Sequence, residues 1–405
     1  MHPFITFIRR SFYKAVLSVG NLFYKITFGM FPEGMFYSSV KTTKGYPGTD
    51  VKIVSEDEES VTFAKFDKNG IIKGGYFKIL ATSDLHVEDD PKLRRKTFQM
   101  LANQICTEKP DLVIFTGDVI QSKFQPLDTI QFARFMERLG VYWAIVFGNH
   151  EAREEKEYFK WLLLDNVASY PHCIARHGSP ELFGYGNYHI NILNGEDSLQ
   201  QVLFMFDSGR DIIDKYREEH GVPADMRGYD FLKKNQIEWY KHKVDELTET
   251  YGKFKSLMFF HIPLKEYELA IETEPDENGC FNFRNDTGIE VLYGSAYEGI
   301  GSSPFNSGMF DAILEKDSTK GVFCGHDHVN DFCIKYKGVC LTYLQTGGYE
   351  TYCLDEKNGS PEEKWPQGAT IIRISDNGDF ALKQSFNREF LKTVRAQKAQ
   401  QKKTK

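Results

Sequence analysis

The sequence predicts a mixed α/β fold in which two stacked mixed β-sheets are flanked by helices. Three observations carry this. Short apolar runs recur along the chain, each closed by a glycine or a polar turn. Apolar residues at helical spacing separate the early runs, as in βαβ units with parallel pairing. Near the end, Asn377-Gly378 sits between two alternating stretches, a strong hairpin signal that makes the last strands antiparallel. A chain of 405 residues is long enough for one large or two ordinary domains.

In chain order, residues 1–45 form a basic, phenylalanine-rich segment. At helical spacing Ile5, Ile8, Phe12, Val16, Val19, Phe23 and Ile26 line one face, with Arg10, Lys14 and Lys25 opposite. Such a helix either lies on a membrane surface through residues 1–30 or packs on its own domain. The uncharged run Ala15–Tyr24 is too short to span a bilayer, and aromatic residues precede the arginines, unlike a signal peptide. Residues 46–386 read as one domain. Its predicted strands are FKILAT (77–82), LVIFTG (112–117), YWAIVFG (142–148), VLFMFD (202–207), SLMFFH (256–261), GVFCGH (321–326) and LTYLQTGG (341–348). Phe98, Leu101 and Ile105 share one helical face, and Phe132, Phe135, Met136 and Leu139 another. GYDFLKKNQIEWYKHKV (228–244) reads as a helix, and 266–310 as a long loop rich in Gly, Asn and acid. Residues 387–405 read as a basic polar tail.

The net charge of −7 gives the whole molecule no electrostatic case for binding nucleic acid. Seven cysteines without a repeated spacing do not form a disulfide framework, so a reducing compartment, the cytoplasm, is expected. Membrane association stays open through the N-terminal stripe.

The polar residues fall at the carboxyl ends of the predicted strands, where open α/β sheets bind ligands. Asp84 and His86 follow the first strand and Asp118 the second. Asn149, His150 and Glu151 follow the third, His261 follows SLMFF, and His326 and His328 follow GVFC. One Asp-x-His occurs often by chance; five such groups in order do not. Two cations about 3.5–4 Å apart form a clamp for phosphoryl displacement. That clamp needs a bridging carboxylate together with oxygen and imidazole ligands. Asp118 is the natural bridge. Asp84, His86 and one late histidine complete one site, and Asn149, His261 and the other late histidine the second. His172, His177, His189, His220 and His242 have no such context and read as structural.

This ordered set (D-x-H, G-D, G-N-H-E, H, G-H-D-H) resembles the calcineurin-like metallophosphoesterase superfamily. FDSG, GYDFLKKNQIEWY, FFHIPLKEY and GHDHVNDFC are similar to its purple-acid-phosphatase-like branch. The resemblance spans roughly residues 75–350 and implies two stacked mixed sheets with a dimetal site at their edge. It implies that Asp84, His86, Asp118 and His328 hold one metal and that Asp118, Asn149, His261 and His326 hold the other. It implies that His150 faces the phosphate, as acid for the leaving oxygen or as charge stabiliser. Purple acid phosphatases carry a tyrosine ligand three residues after the bridging aspartate. Here that position is Gln121, so no iron(III)–tyrosinate is expected, and Fe, Mn and Zn all suit the remaining ligands.

The expected reaction is hydrolysis of a phosphate monoester by a hydroxide activated between two metals, with Asp118 and His150 as the catalytic side chains. Asn149, His150 and Arg153 are the expected substrate contacts, although Arg153 reads more readily as a solvated helix-start residue. The substrate is a phosphorylated small molecule or a phosphoprotein. The alternatives are a phosphodiesterase or nuclease on the same metals, and a non-catalytic metal-binding scaffold. The acidic stretch 271–286 argues against a nuclease, and the intact set of eight positions argues against a scaffold.

Overall fold

The structure is a computed structural model that describes residues 46–123, 125–151, 158–195, 198–352 and 367–387. Residues 1–45, the tail beyond Asn387 and Arg153 lie outside the described residues.

Strands β1 (Val51–Glu56), β2 (Ser60–Phe66) and β3 (Ile72–Lys73) precede β4 (Phe77–Thr82). Then follow α1 (Pro91–Glu108), β5 (Leu112–Thr116), α2 (Gln125–Leu139), β6 (Tyr142–Val146) and α3 (Tyr158–Ala168). Next come β7 (Tyr188–Gly195), β8 (Ser198–Met205), α4 (Asp214–His220), α5 (Lys234–Tyr251) and β9 (Ser256–Phe259). A 3₁₀ turn at Lys265–Leu269 leads to β10 (Ile289–Tyr293), α6 (Met309–Lys316), β11 (Thr319–Cys324), β12 (Cys333–Tyr336) and β13 (Val339–Tyr343). The hairpin of β14 (Gly368–Ile374) and β15 (Phe380–Phe386) closes the described chain.

These strands form two mixed sheets. The smaller runs β15-β14-β4-β5-β6, with β4, β5 and β6 parallel and the β14–β15 hairpin antiparallel. The larger runs β1-β2-β7-β8-β9-β11-β13-β12-β10, with β3 beside β2. Its centre, β8 to β13, is parallel.

Strand periodicity explains why the sheets stack. In β8, Leu203 and Met205 join one core, while Val202 and Phe204 join another. β9 and β11 divide the same way: Leu257, Phe259 and Phe323 face one side, and Met258, Val322 and Cys324 the other. The first core also holds Ile79, Leu80, Val113 and Ile372 of the smaller sheet, so it fills the space between the sheets. The second lies under α5 and α6 through Tyr240, Val244, Phe310 and Ile313. α1 begins where Asp90 accepts from the amides of Lys92 (2.7 Å) and Leu93 (3.1 Å), with Pro91 in its first turn. Among the described residues no helix is long and apolar enough to cross a membrane.

Two expectations change. The helix read from residue 228 starts at Lys234, because the Gln236 side chain closes onto the Lys233 amide (2.7 Å) and holds Lys233 extended. The long loop 266–310 contains the 3₁₀ turn and β10. That strand lies at a sheet edge with Glu290, Val291 and Leu292 exposed, so it shows no buried alternation to read.

Candidate metal centre

The carboxyl ends of β4, β5 and β6 in one sheet and of β9 and β11 in the other meet at one place. The loops after β4 and β5 run side by side there: Asp84 N–H donates to Gly117 O (3.1 Å), and His86 N–H to Asp118 O (2.9 Å). This path demands unusual backbone. Asp84, His86, Asp118 and His326 all have positive φ, at 52°, 40°, 49° and 81°. Only seven non-glycine residues among those described do so, and the other three, Lys109, Asp317 and Lys337, lie at helix ends and a strand turn. Strain gathered on four predicted ligands, and not spread at random, marks a functional site.

The glycines of the motifs have a packing reason. A Cβ on Gly148 would lie 2.2 Å from Asp118 Oδ1, and one on Gly325 would lie 1.8 Å from Ser83 Oγ and 2.5 Å from Asp84 Oδ2. Each glycine lets a ligand-bearing loop close onto an aspartate of the facing loop.

Six of the predicted ligands form two groups. Asp84, His86 and His328 offer ligand atoms within 4.8 Å of one another, and so do Asp118, His261 and His326. All six are buried. Asp118 Oδ2 lies between the groups, 3.2 Å from His261 Nε2 and 3.6 Å from His86 Nε2. Asn149 Oδ1 approaches His261 Nε2 at 2.9 Å and so joins the second group. His150 stands at the edge, its Nε2 3.8 Å from Asp118 Oδ2, and is partly exposed. Its backbone N–H donates to Asp118 Oδ1 (2.8 Å), leaving Oδ2 for the centre.

Surrounding groups fix which imidazole nitrogen faces inward. His261 Nδ1 is 2.8 Å from Thr116 O, which can only accept, so Nδ1 carries a proton and Nε2 is the atom turned to the centre. His86 Nδ1 meets the Gln121 amide oxygen, and His328 Nδ1 meets Thr351 Oγ1; both turn Nε2 toward Asp84. Gln121, in the tyrosine position of purple acid phosphatases, therefore lies behind a ligand and not among the ligands. Sequence reasoning assigned Glu151 no role either. Its buried carboxylate takes the amides of Gly148 (2.7 Å), Asp118 (2.9 Å), Val119 and Ile120 (3.1 Å), tying the β5 and β6 loops together. Burial, reinforced by the nearby Asp118 charge, raises its pKa.

Asp327 turns away from the centre and accepts from Gly301 N–H (2.9 Å) and from the Tyr343 hydroxyl. Burial pushes its carboxyl up to about 8. Asp331 takes Ser295 N–H (3.0 Å) and the Gln384 side chain (2.9 Å).

The residues fit two cations. Asp84 Oδ1 and His86 Nε2 are buried without any hydrogen bond, a costly arrangement that a bound cation would satisfy. Charge balance agrees. Burial disfavours a charged His261, but the Asp118 carboxylate beside it overrides this and lifts its pKa to about 10. Despite burial, His261 and His86 hold Asp118 below the ordinary carboxylate range. Burial, with His261 nearby, lowers His326 to about 3. Protons thus supply the positive charge that the carboxylates demand, and metal binding would displace them.

Residues 77–330 match the family described as "Calcineurin-like phosphoesterase", more than half of the chain. The chain belongs to the calcineurin-like phosphoesterase family. Proteins of this family bind a dinuclear metal site. Two Arabidopsis thaliana relatives are "Probable inactive purple acid phosphatase 29" and "Probable inactive purple acid phosphatase 14". The first is 29% identical over 313 residues, covering 69% of this chain and 73% of its own. The second is 28% identical over 314 residues, covering 69% and 72%. "Phosphatase DCR2" of Saccharomyces cerevisiae is 29% identical over 288 residues, covering 64% of this chain and 45% of its own. Among solved structures, a dimetal phosphatase from Danio rerio aligns with a TM-score of 0.48 at 13% identity, over 77% of this chain and 96% of its own.

Proposed function

We propose that this protein hydrolyses phosphate monoesters, of a phosphorylated small molecule or a phosphoprotein, at a two-metal centre. The observation that carries the reading is the placement of Asp118 Oδ2 between two buried ligand groups. Asp84, His86 and His328 would hold one ion, Asn149, His261 and His326 the other, with Asp118 shared. Fe, Mn and Zn all suit imidazole and carboxylate donors, and Gln121 offers no phenolate for an iron(III) colour. Bound cations would supply a nucleophilic water at neutral pH and offset charge on the phosphoryl oxygens.

The chain's own residues do the rest. Asp118 keeps one oxygen for the centre because the His150 amide holds the other. The His150 ring, partly exposed beside Asp118, is placed to give a proton to the leaving oxygen or to stabilise its charge. Glu151 keeps the two loops in register. The carboxylates of Asp211 and Glu298 act on Tyr229 beside His326, which disfavours a polyanionic strand. The relatives named inactive carry that label on their own account; here all eight predicted positions are present.

The test is hydrolysis of para-nitrophenyl phosphate and of its bis ester after reconstitution with Mn, Fe or Zn, for wild type and Asp118→Asn. Monoester turnover in the wild type, reduced by at least about 100-fold in Asp118→Asn, is expected. Preference for the bis ester would replace this reading with a phosphodiesterase, and turnover of neither ester would overturn it.

A further inference from the structure

Eight large apolar side chains are exposed among the described residues: Val54, Ile71, Tyr76, Ile213, Tyr229, Val291, Leu292 and Tyr352. Two of them pack on candidate metal ligands. The Tyr229 ring meets His326 at 4.2 Å in an edge arrangement, and the Tyr352 ring stacks on His328 at 4.2 Å and 23°. His326 belongs to the second ligand group and His328 to the first. One tyrosine thus stands beside each group. The two histidines lie two residues apart on the loop after β11, so both rings border that one loop.

Neither ring is a loose surface group. The Tyr352 hydroxyl donates to Glu298 Oε2 (2.7 Å), and Glu298 Oε1 takes Val329 N–H (2.8 Å). Tyr229 is held by backbone bonds on either side, Ile212 N–H to Gly228 O (3.0 Å) and Asp230 N–H to Arg210 O (3.1 Å). Its neighbour Asp230 pairs with Lys233, a buried lysine over the Phe231 ring. Covering an imidazole requires only one face of an apolar side chain. Yet Tyr229 and Tyr352 remain 38% and 44% exposed. Asp84 and His261 are fully buried, whereas the two tyrosines that border the centre reach solvent.

We propose that Tyr229 and Tyr352 form an aromatic platform for the leaving group, and that the preferred substrates are phosphomonoesters whose leaving group carries a flat aromatic ring. This rests on the phosphomonoesterase reading above. A fixed ring presents its π-face at little entropic cost, and ring-on-ring contact adds to simple area burial.

The test compares benzyl phosphate with cyclohexylmethyl phosphate, two primary-alcohol esters that differ chiefly in the flatness of the ring. The reconstituted wild type should favour the benzyl ester in kcat/KM by about tenfold. Tyr229→Ala with Tyr352→Ala should collapse the ratio toward one, with the loss in KM for the benzyl ester, and the double Phe variant should keep it. Equal use of both esters by the wild type, or an unchanged ratio in the double Ala variant, would overturn the platform and leave the phosphatase reading standing. Hydrolysis of neither ester by protein that turns over para-nitrophenyl phosphate would overturn the platform, and no turnover of para-nitrophenyl phosphate either would overturn the phosphatase reading. The platform would then be judged by calorimetric binding of phenylphosphonate against cyclohexylphosphonate. Preference for the phenyl compound that the double Ala variant loses would support it, and equal binding would overturn it.

Discussion

At the scale of single residues, the groups behind the candidate ligands orient them. Gln121 accepts from His86 Nδ1, Thr116 O from His261 Nδ1, and Thr351 pairs with His328 Nδ1. Such outer contacts fix tautomer and ring direction, and their loss typically costs about 10–100-fold in metal affinity or activity. Gln121→Ala should therefore weaken metal binding by about 10–100-fold while leaving the fold intact. Competition with a metal indicator dye reads this directly, and an affinity within twofold of wild type would remove Gln121 from the account. The seven candidate ligand positions stand out in the sequence because each follows an apolar run. Gln121 was visible only as a departure from a family pattern. Its contact with His86 depends on the loops after β4 and β5 lying side by side, which no local spacing records. Tyr229 and Tyr352 were illegible for the same reason: each reaches a histidine some 24 or more positions away in the chain.

At the scale of elements, the strands with continuous apolar runs were readable: β4, β5, β6, β9 and β11 agree with the sequence reading to within two residues at either end, whereas β13 ends five residues earlier than read. The β14–β15 hairpin was readable from Asn377-Gly378, where Gly378 takes φ 77°. The strands that escaped were short, at an edge, or polar within. β7, with the buried polar residues His189 and Asn191, is the clearest case. His189 also makes a testable contribution to stability. Burial, aided by Lys243, lowers its pKa from 6.5 to about 4, and its Nδ1 has no hydrogen-bond partner. Above pH 6.5 the ring is neutral whether the chain is folded or not, and the full stability is present. As pH falls toward 4 the unfolded chain takes up a proton that the folded one refuses, so stability drops by about 3 kcal/mol. Denaturant titrations of the metal-free protein from pH 7 to 4 should show this loss in wild type and about one proton less of it in His189→Phe. Identical pH slopes for the two proteins would show that His189 titrates freely in the native state.

At the scale of the whole molecule, the centre belongs to neither sheet alone. Asp84, His86, Asp118 and Asn149 come from the smaller sheet and His261, His326 and His328 from the larger. Each ligand group draws on both, so the site exists only when the sheets are stacked through their common core. Fold class was accessible from the sequence because strand length and periodicity are local signals. The order of ten strands in the larger sheet was not, because β2–β7 and β9–β11 are pairings across long separations.

The measurement that bears most directly on the central claim is metal content per chain after reconstitution and desalting, for wild type, His328→Ala and His261→Ala. Two ligand groups sharing Asp118 predict about two ions per wild-type chain and about one in each variant. A wild-type chain that retains no ion, or that holds one ion which either variant abolishes, would contradict a two-metal centre.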